Sequence, residues 1–553
     1  MLGTSVPELV FIRVCVFLLQ YSIPLCVITI ALLRVAFAQN CGVPLILTKV
    51  FAGLLVLDLS YAVLLYRPFK SRLRASANHP QSLTLEERSE LFERCLASIS
   101  DPERYLQLWF LGAGPQEIKR ENVKDFILWA FFDRKSVEKT VEGDVESCED
   151  ELESYVVQTE EMLGRPLPPG RGTAVPLRLT FDVVDTRYRS VVWYAIVSLV
   201  DGATHCMLLW HGFQLRVPSW RTALGVFPWR PELLIRSVPG YKQVWKDKSP
   251  SDKLSYWYRP HISKTTLPVV FIHGIGIGLY PYTTLLAEIP KETGVIALEI
   301  LWISMRLYAK PLTRDDFLHQ VRLIVSYHGW DRFVLVSHSY GSVLTTHILR
   351  SPMLARKVSS VVLVDPVSIC LHLPDVAYNF TRRPPHHANE WMLWYFASMD
   401  PGTALSLGRH FFWKENLIWK EELVALPSDA EMVVRKIEAA GERSETRNRG
   451  VTASSERQDN RRNVAIVLSG RDLIVNTMSV ARYLLCEGDL GSSMHHEDEA
   501  AHHFTRGSMT RNCVTKDGIE LLWFPKLDHS QVFDTATDRS QVIAIIERYC
   551  SSR

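Results

Sequence analysis

The chain has no Cys-x-x-Cys pair and no cysteine run at metal-ligand spacing, although it carries 10 cysteines in 553 residues. That absence argues against zinc ribbons and thioredoxin-like redox sites, and scattered cysteines fit a reducing compartment better than a disulfide framework. An excess charge of one sign is missing too. Lys and Arg number 62 against 60 Asp and Glu, a formal net charge of +2. Such balance gives no footing for nucleic-acid binding. No cofactor and no metal is expected.

Charge is also absent from Val14 to Leu33, and from Val50 to Tyr66 apart from Asp58. The first run has the length that spans a bilayer. It lacks a small-residue cleavage site and a second apolar run follows, which argues against a signal peptide. Residues 1–75 therefore read as a transmembrane helical hairpin turning at Gln39 to Pro44, with Asp58 packed against the partner helix or the second segment interfacial. Arg67, Lys70, Arg72 and Arg74 follow the second run, against Arg34 and Lys49 in the turn. By the positive-inside bias, the rest of an integral membrane protein would face the cytosol.

What is present lies further on. Val334-Leu-Val-Ser337-His-Ser339-Tyr340-Gly341-Ser342 is an apolar β-branched run that stops at a serine between small residues, and a helical stretch follows. A strand turning sharply into a helix lifts one hydroxyl clear of the backbone, and small neighbours are needed because the chain nearly touches itself. Upstream, Leu267 to Ile272 is a buried-strand pattern ending in His273-Gly274-Ile275-Gly276-Ile277-Gly278. Downstream, Val464 to Gly470 leads to Asp472, and Leu521 to Phe524 leads to Asp528-His529. Strands separated by helix-length segments, each a continuous Val/Ile/Leu run, predict an α/β fold with a mostly parallel sheet.

These residues, in this order, resemble the α/β-hydrolase superfamily. The resemblance covers residues 263–370 and 463–553, and the layout with apolar N-terminal runs resembles membrane-anchored fungal hydrolases of that superfamily. Ser337 departs from it, standing where the superfamily most often has glycine. The resemblance implies a Ser339 nucleophile at the elbow, a His529 base and a strand-end acid. Asp472 follows the strand that usually supplies the acid, and Asp365, in Val361-Val-Leu-Val-Asp365-Pro366, is the alternative. Asp528 is set aside, because adjacent residues seldom place a carboxylate on the imidazole ring. His273, Gly274 and Gly341 complete the motifs. The oxyanion donors are expected from the N–H of Tyr340 and that of Ile275 or Gly276. A serine elbow disfavours the dehalogenase and epoxide-hydrolase branches, which use Asp. Ester hydrolysis on a lipid or other apolar acyl substrate is the leading reading, with an acyltransferase or a silent membrane scaffold as alternatives.

The remainder divides into a helical extension at 76–262, core at 263–368, a lid insertion and linker at 369–462, and core again at 463–553. Leu83-Thr84-x-x-Glu87 predicts a capping box. Residues 191–200 are apolar but interrupted soon after by Asp201, Gly202 and His205, and read as a buried helix in preference to a third span. Leu208-Leu-Trp210-His211-Gly212 mimics a strand before an oxyanion loop, yet lies too far upstream, so His211 reads as structural. Residues 371–425 are dense in aromatics, either core packing or an apolar wall over the site. Glu442 to Arg462 and Asp489 to Asp517 read as polar loops. The second holds His495, His496, His502 and His503 without helical spacing, which favours a solvated loop over a metal site.

Overall fold

The β-branched runs form strands in a computed structural model that describes residues 2–36, 42–135, 144–218, 222, 224–230, 248–308, 310–427, 461–485 and 509–551. In chain order they are β1 (Gln214–Arg216), β2 (Val226–Phe227), β3 (Ser255–Arg259), β4 (Val269–Ile272), β5 (Val295–Glu299), β6 (Leu307–Tyr308), β7 (Phe333–His338), β8 (Val358–Val364), β9 (Asn463–Ser469), β10 (Arg511–Val514) and β11 (Ile519–Phe524). Among the described residues, nine of them make one sheet in the order β1-β3-β5-β4-β7-β8-β9-β11-β10, while β2 and β6 pair separately. The six central strands from β5 to β11 are parallel, and at the edges β3 pairs antiparallel with β5, β1 with β3, and β10 with β11.

Side chains alternate across this sheet and both faces are covered. Val270, Ile272, Leu335, Leu363, Ile466 and Leu468 enter one core, and Phe271, Val334, Val336, Val364, Val467 and Phe524 the other. Burial on both faces is why these strands read as unbroken apolar runs. After β4 the chain moves to β5 on one side and returns at β7 on the other. The loops leaving β4 and β7 therefore diverge from neighbouring strand ends, the position where open parallel sheets form a crevice.

The sheet takes in more of the chain than expected. β1 and β3 come from the 76–262 segment read as a helical extension, and β10 from the 489–517 segment read as a loop. Short edge strands with few apolar residues give too weak a period to be seen in sequence. The helical part is real as well, with α5 (Leu85–Ala97), α6 (Pro102–Trp109), α7 (Arg120–Phe132) and α8 (Asp144–Leu163) building an aromatic core of their own. Thr84 and Glu87 cap α5 reciprocally. The expected turn at 39–41, the tract at 442–460 and the histidines at 495–503 lie outside the described residues.

The N-terminal runs differ from a simple hairpin. The first is two helices, α1 (Val6–Gln20) and α2 (Ser22–Ala36), bent by 73°. Pro24 accounts for the break. It has no N–H to offer, and its ring clashes with the carbonyl of Gln20, four residues earlier. The second run lies in α3 (Gly42–Tyr61), which a π-helical turn at Ala62–Tyr66 continues into α4 (Arg67–Arg74) as one apolar helix.

The 191–200 run lies in one longer helix, Val191–Trp210 (α9), which buries Trp193, Tyr194 and Val197 in a hydrophobic cluster. The helix is long and apolar enough to cross a membrane, and Leu199 and Trp210 are exposed. Asp201 does not stop it, because Arg306 pairs with that carboxylate. Among the described residues, two helices could span a bilayer by length and composition, or three if the bent pair counts as one. His211 caps the C-terminus of α9, so it follows a helix and no strand precedes it there.

Asp58 is 6% exposed, and its partner is α9. One carboxylate oxygen accepts the Val191 N–H at 2.8 Å and the other the Tyr188 hydroxyl at 2.8 Å. A negative charge at a helix N-terminus is favourable, so this residue joins two apolar helices without a cation. Asp58→Ala is expected to strand both donors and cost about 1–3 kcal/mol. Thermal unfolding of the solubilised protein reads it, and an unchanged midpoint would refute the role.

Candidate active site

The turn between β7 and its following helix, Gly341–Leu349, places Ser339 at φ +51°, the left-handed region that a non-glycine residue adopts at a cost of about 1–3 kcal/mol. Packing enforces it. A Cβ on Gly274 would lie 2.8 Å from the Ser339 Cβ, and one on Gly341 would lie 2.5 Å from the Ile272 carbonyl oxygen. The Ser339 N–H donates to the Val364 carbonyl at 2.9 Å, and the Ser342 N–H donates back to the Ser339 carbonyl at 2.9 Å. Ser337 fits where glycine is usual, because its Oγ is buried and accepts the Thr345 hydroxyl at 2.8 Å.

His529 follows β11 and brings Nε2 to 2.9 Å from Ser339 Oγ. Its Nδ1 lies 2.7 Å from Asp472 Oδ2. The other Asp472 oxygen accepts the N–H groups of Ile474 and Val475 at 2.7 and 2.8 Å, which fixes the carboxylate. Ser339 is 6% exposed and His529 5%, so the cluster is buried. Burial opposes a charge on His529, but Asp472, Asp365 and Asp528 outweigh it and raise the imidazole to about 9.

Asp365, the alternative acid, lies near the imidazole but accepts from the Ser469 and Ser530 loops, while Asp472 holds the ring nitrogen. One oxygen accepts the Ser469 N–H at 2.9 Å, the other the Ser469 hydroxyl at 3.1 Å and the Ser530 N–H at 2.8 Å. Burial, and then the charge of Asp472, push it up to about 7. Ligand atoms of Asp365, Asp472 and His529 lie within 4.8 Å of one another, a spacing that could hold a metal ion. The donors around them argue for a hydrogen-bond network, since N–H groups already occupy the carboxylate oxygens.

The loop after β4 is fixed by His273. Its Nδ1 is 2.7 Å from its neighbour Gly274's carbonyl, and its Nε2 accepts the Ile300 N–H at 2.9 Å. That pattern makes Nδ1 the protonated nitrogen, and burial lowers the ring's basicity. Among the described residues the Tyr340 and Ile275 N–H groups meet no backbone acceptor. That of Gly276 does: it donates to the Ile303 carbonyl at 3.1 Å. The expectation for that residue is therefore withdrawn.

Sequence reasoning missed His338 and Tyr282. The Tyr282 hydroxyl accepts the Gly274 N–H at 3.2 Å and meets His338 Nδ1 at 2.7 Å, tying the elbow to the β4 loop. Burial and the neighbouring His529 and His273 hold His338 well below the ordinary histidine range. A histidine beside the elbow serine was visible in the sequence, but its partner lies on another loop. Asp528 has a backbone role in place of a ring contact, accepting the N–H groups of His529 and Leu473 at 2.7 and 2.9 Å.

Gly274→Ala must push the elbow apart and is expected to destabilise by about 1–3 kcal/mol. Gly276→Ala meets nothing within 4 Å and is expected to be silent. Paired thermal melts compare them, and equal effects would contradict the packing argument.

No protein-family model matches the chain, and no curated protein does. Solved structures give faint likenesses. A bacterial membrane phospholipase A described as a virulence factor is 12% identical over 65% of this chain and 94% of its own, with a TM-score of 0.31. A carboxylesterase of the thaumarchaeon Nitrososphaera gargenis is 14% identical over 54% of this chain and 98% of its own, at 0.29. The naproxen esterase of Bacillus subtilis is 12% identical over 53% of this chain and 87% of its own, at 0.30. Likeness at this level assigns no chemistry here; the chain's own geometry must carry that.

Proposed function

We propose that the protein is a membrane-anchored serine hydrolase of the α/β-hydrolase type, acting on a carboxylic ester with an apolar acyl group. One observation carries the reading: the continuous relay from Ser339 Oγ through His529 to Asp472, at 2.9 and 2.7 Å. A serine hydroxyl is a weak nucleophile until a base takes its proton, and these contacts supply that base in one tautomer. Ser339 attacks the ester carbonyl while His529 Nε2 accepts its proton, and Asp472 stabilises the imidazolium. The oxyanion settles between the Tyr340 and Ile275 N–H groups. Collapse expels the alcohol with a proton from His529, and water activated by the same imidazole releases the acid.

Apolar N-terminal helices on the same chain support a lipid ester as substrate and the bilayer as partner. Arg67, Lys70, Arg72 and Arg74 favour a cytosolic site. Acyl transfer to an alcohol is the second reading. It draws support from the burial of Ser339 and His529, since a site shielded from bulk water lets another acceptor compete.

Fluorophosphonate labelling of the solubilised protein is expected to modify Ser339 and to vanish in Ser339→Ala. An unlabelled but folded wild type would defeat the reading. Asp472→Asn is expected to cost about 10⁴ in turnover with the fold intact. Asp365→Asn keeps one acceptor oxygen, which can still serve the Ser530 N–H and the Ser469 hydroxyl, and is expected to cost less; the reverse ranking would move the acid to β8.

The base works only when neutral, and His529 is raised to about 9. Turnover per encounter is therefore expected to climb with pH across the neutral range and level off above that value. Asp472→Asn removes the main raising charge, so its reduced activity should level off at lower pH. A wild-type profile already flat at neutral pH would contradict this.

A further inference from the structure

We propose that Asn389, in the insertion between β8 and β9, is a positioning residue for His529 acting through Asp528. The inference rests on the serine-hydrolase reading. Asp528 Oδ1 accepts two backbone N–H groups at once, from His529 itself at 2.7 Å and from Leu473, next to Asp472, at 2.9 Å. One oxygen atom thus spans the two loops that carry the base and its acid, and sets their separation. Asp528 Oδ2 then requires a donor of its own, because the residue is 8% exposed and water is largely shut out. Asn389 Nδ2 provides it at 2.6 Å.

The amide is held from three sides. Its Oδ1 accepts the Glu390 N–H at 3.0 Å, which leaves Nδ2 facing the carboxylate. Its backbone N–H donates to the Gly3 carbonyl at 3.1 Å, just ahead of α1. α1 lies along the same part of the insertion: Ile12 and Val16 pack with Ala388 and Tyr395, and the Arg13 guanidinium sits 4.3 Å from the Trp391 ring centre. The opposite side of α1 exposes Val10, Phe11, Val14 and Phe17. The donor that completes the base loop therefore comes from outside the sheet, from an element seated against an apolar N-terminal helix.

Without that donor, Asp528 must turn to find another, loosening its hold on both N–H groups. His529 then drifts from Ser339, and displacement of a reacting group by about 1 Å costs on the order of 100-fold in rate. The effect falls on turnover and leaves substrate binding alone, because no group touching substrate has changed.

The test uses the full-length protein in detergent micelles, with p-nitrophenyl butyrate turnover, fluorophosphonate labelling and thermal unfolding measured together. Asn389→Asp replaces the donor by a like charge and is expected to lower kcat and the labelling rate by about 10–100-fold, with KM within about twofold. Adding Asp528→Asn exchanges donor and acceptor across the same bond, and is expected to restore at least about tenfold of that loss. A purely structural role would not give a kcat loss at constant KM that the exchange rescues. If Asn389→Asp does not fold, Asn389→Ala carries the test, with the same kcat loss expected.

Wild-type kcat in a folded Asn389→Asp or Asn389→Ala protein overturns the positioning role. So does a double variant as slow as Asn389→Asp alone. In both cases a wild type that labels at Ser339 leaves the hydrolase reading standing. A wild type that does not label overturns that reading, and this role with it.

Discussion

The site depends on two chain segments approaching closer than side chains normally allow. β4 and β7 are neighbours in the sheet, and their loops leave in different directions from level strand ends, with Ile272 opposite Ser337. Ser339 is held in a left-handed conformation between them because Gly274 and Gly341 have no Cβ to place there. The local strain, about 1–3 kcal/mol, is sustained by two large buried cores on the faces of the sheet. Ser339 projects toward His529 only because the backbone cannot relax.

Around this contact the polar groups divide into those that face the hydroxyl and those that hold loops. Asp472 and His529 form the first kind. Asp365, Asp528, His273 and Tyr282 form the second, each bonding backbone N–H or C=O groups across strand ends. Asp365 shows how the distinction arises. It lies at the end of a buried strand with φ +43°, as an acid of this kind could, yet its oxygens are turned to Ser469 and Ser530. Three acids converge near one imidazole, and that crowding raises it.

The aromatic insertion does less at the site and more for assembly than its composition suggests. Trp413 packs on Phe131 and donates to the Ala130 carbonyl, Trp419 carries Arg94, and Trp391 carries Arg13. Phe411 of the insertion reaches the elbow, 6.1 Å from the Tyr340 ring. The insertion thus joins the helical extension, the sheet and the N-terminal helix, and an apolar wall is the smaller part of its role.

The sequence by itself determined the parallel strands, the serine turn, and the order of serine, acid and histidine. These are local signals: β-branched runs, small residues at a turn, a carboxylate or imidazole just past a strand. It also marked the apolar N-terminal runs, since lack of charge is legible without a fold. Tertiary structure decided what depends on partners distant in the chain. It placed Asp472 on the imidazole and turned Asp365 to the Ser469 and Ser530 loops, because the two look alike from their own strands. It engaged the Gly276 N–H with Ile303 and gave that of Ile275 no backbone acceptor among the described residues. It brought the edge strands β1, β3 and β10 into the sheet, and buried Trp193, Tyr194 and Val197 of α9 while leaving Leu199 and Trp210 exposed. Periodicity reports which face of an element is buried; it does not report which neighbour covers that face, and apart from the Pro24 bend the corrections here arose from neighbours.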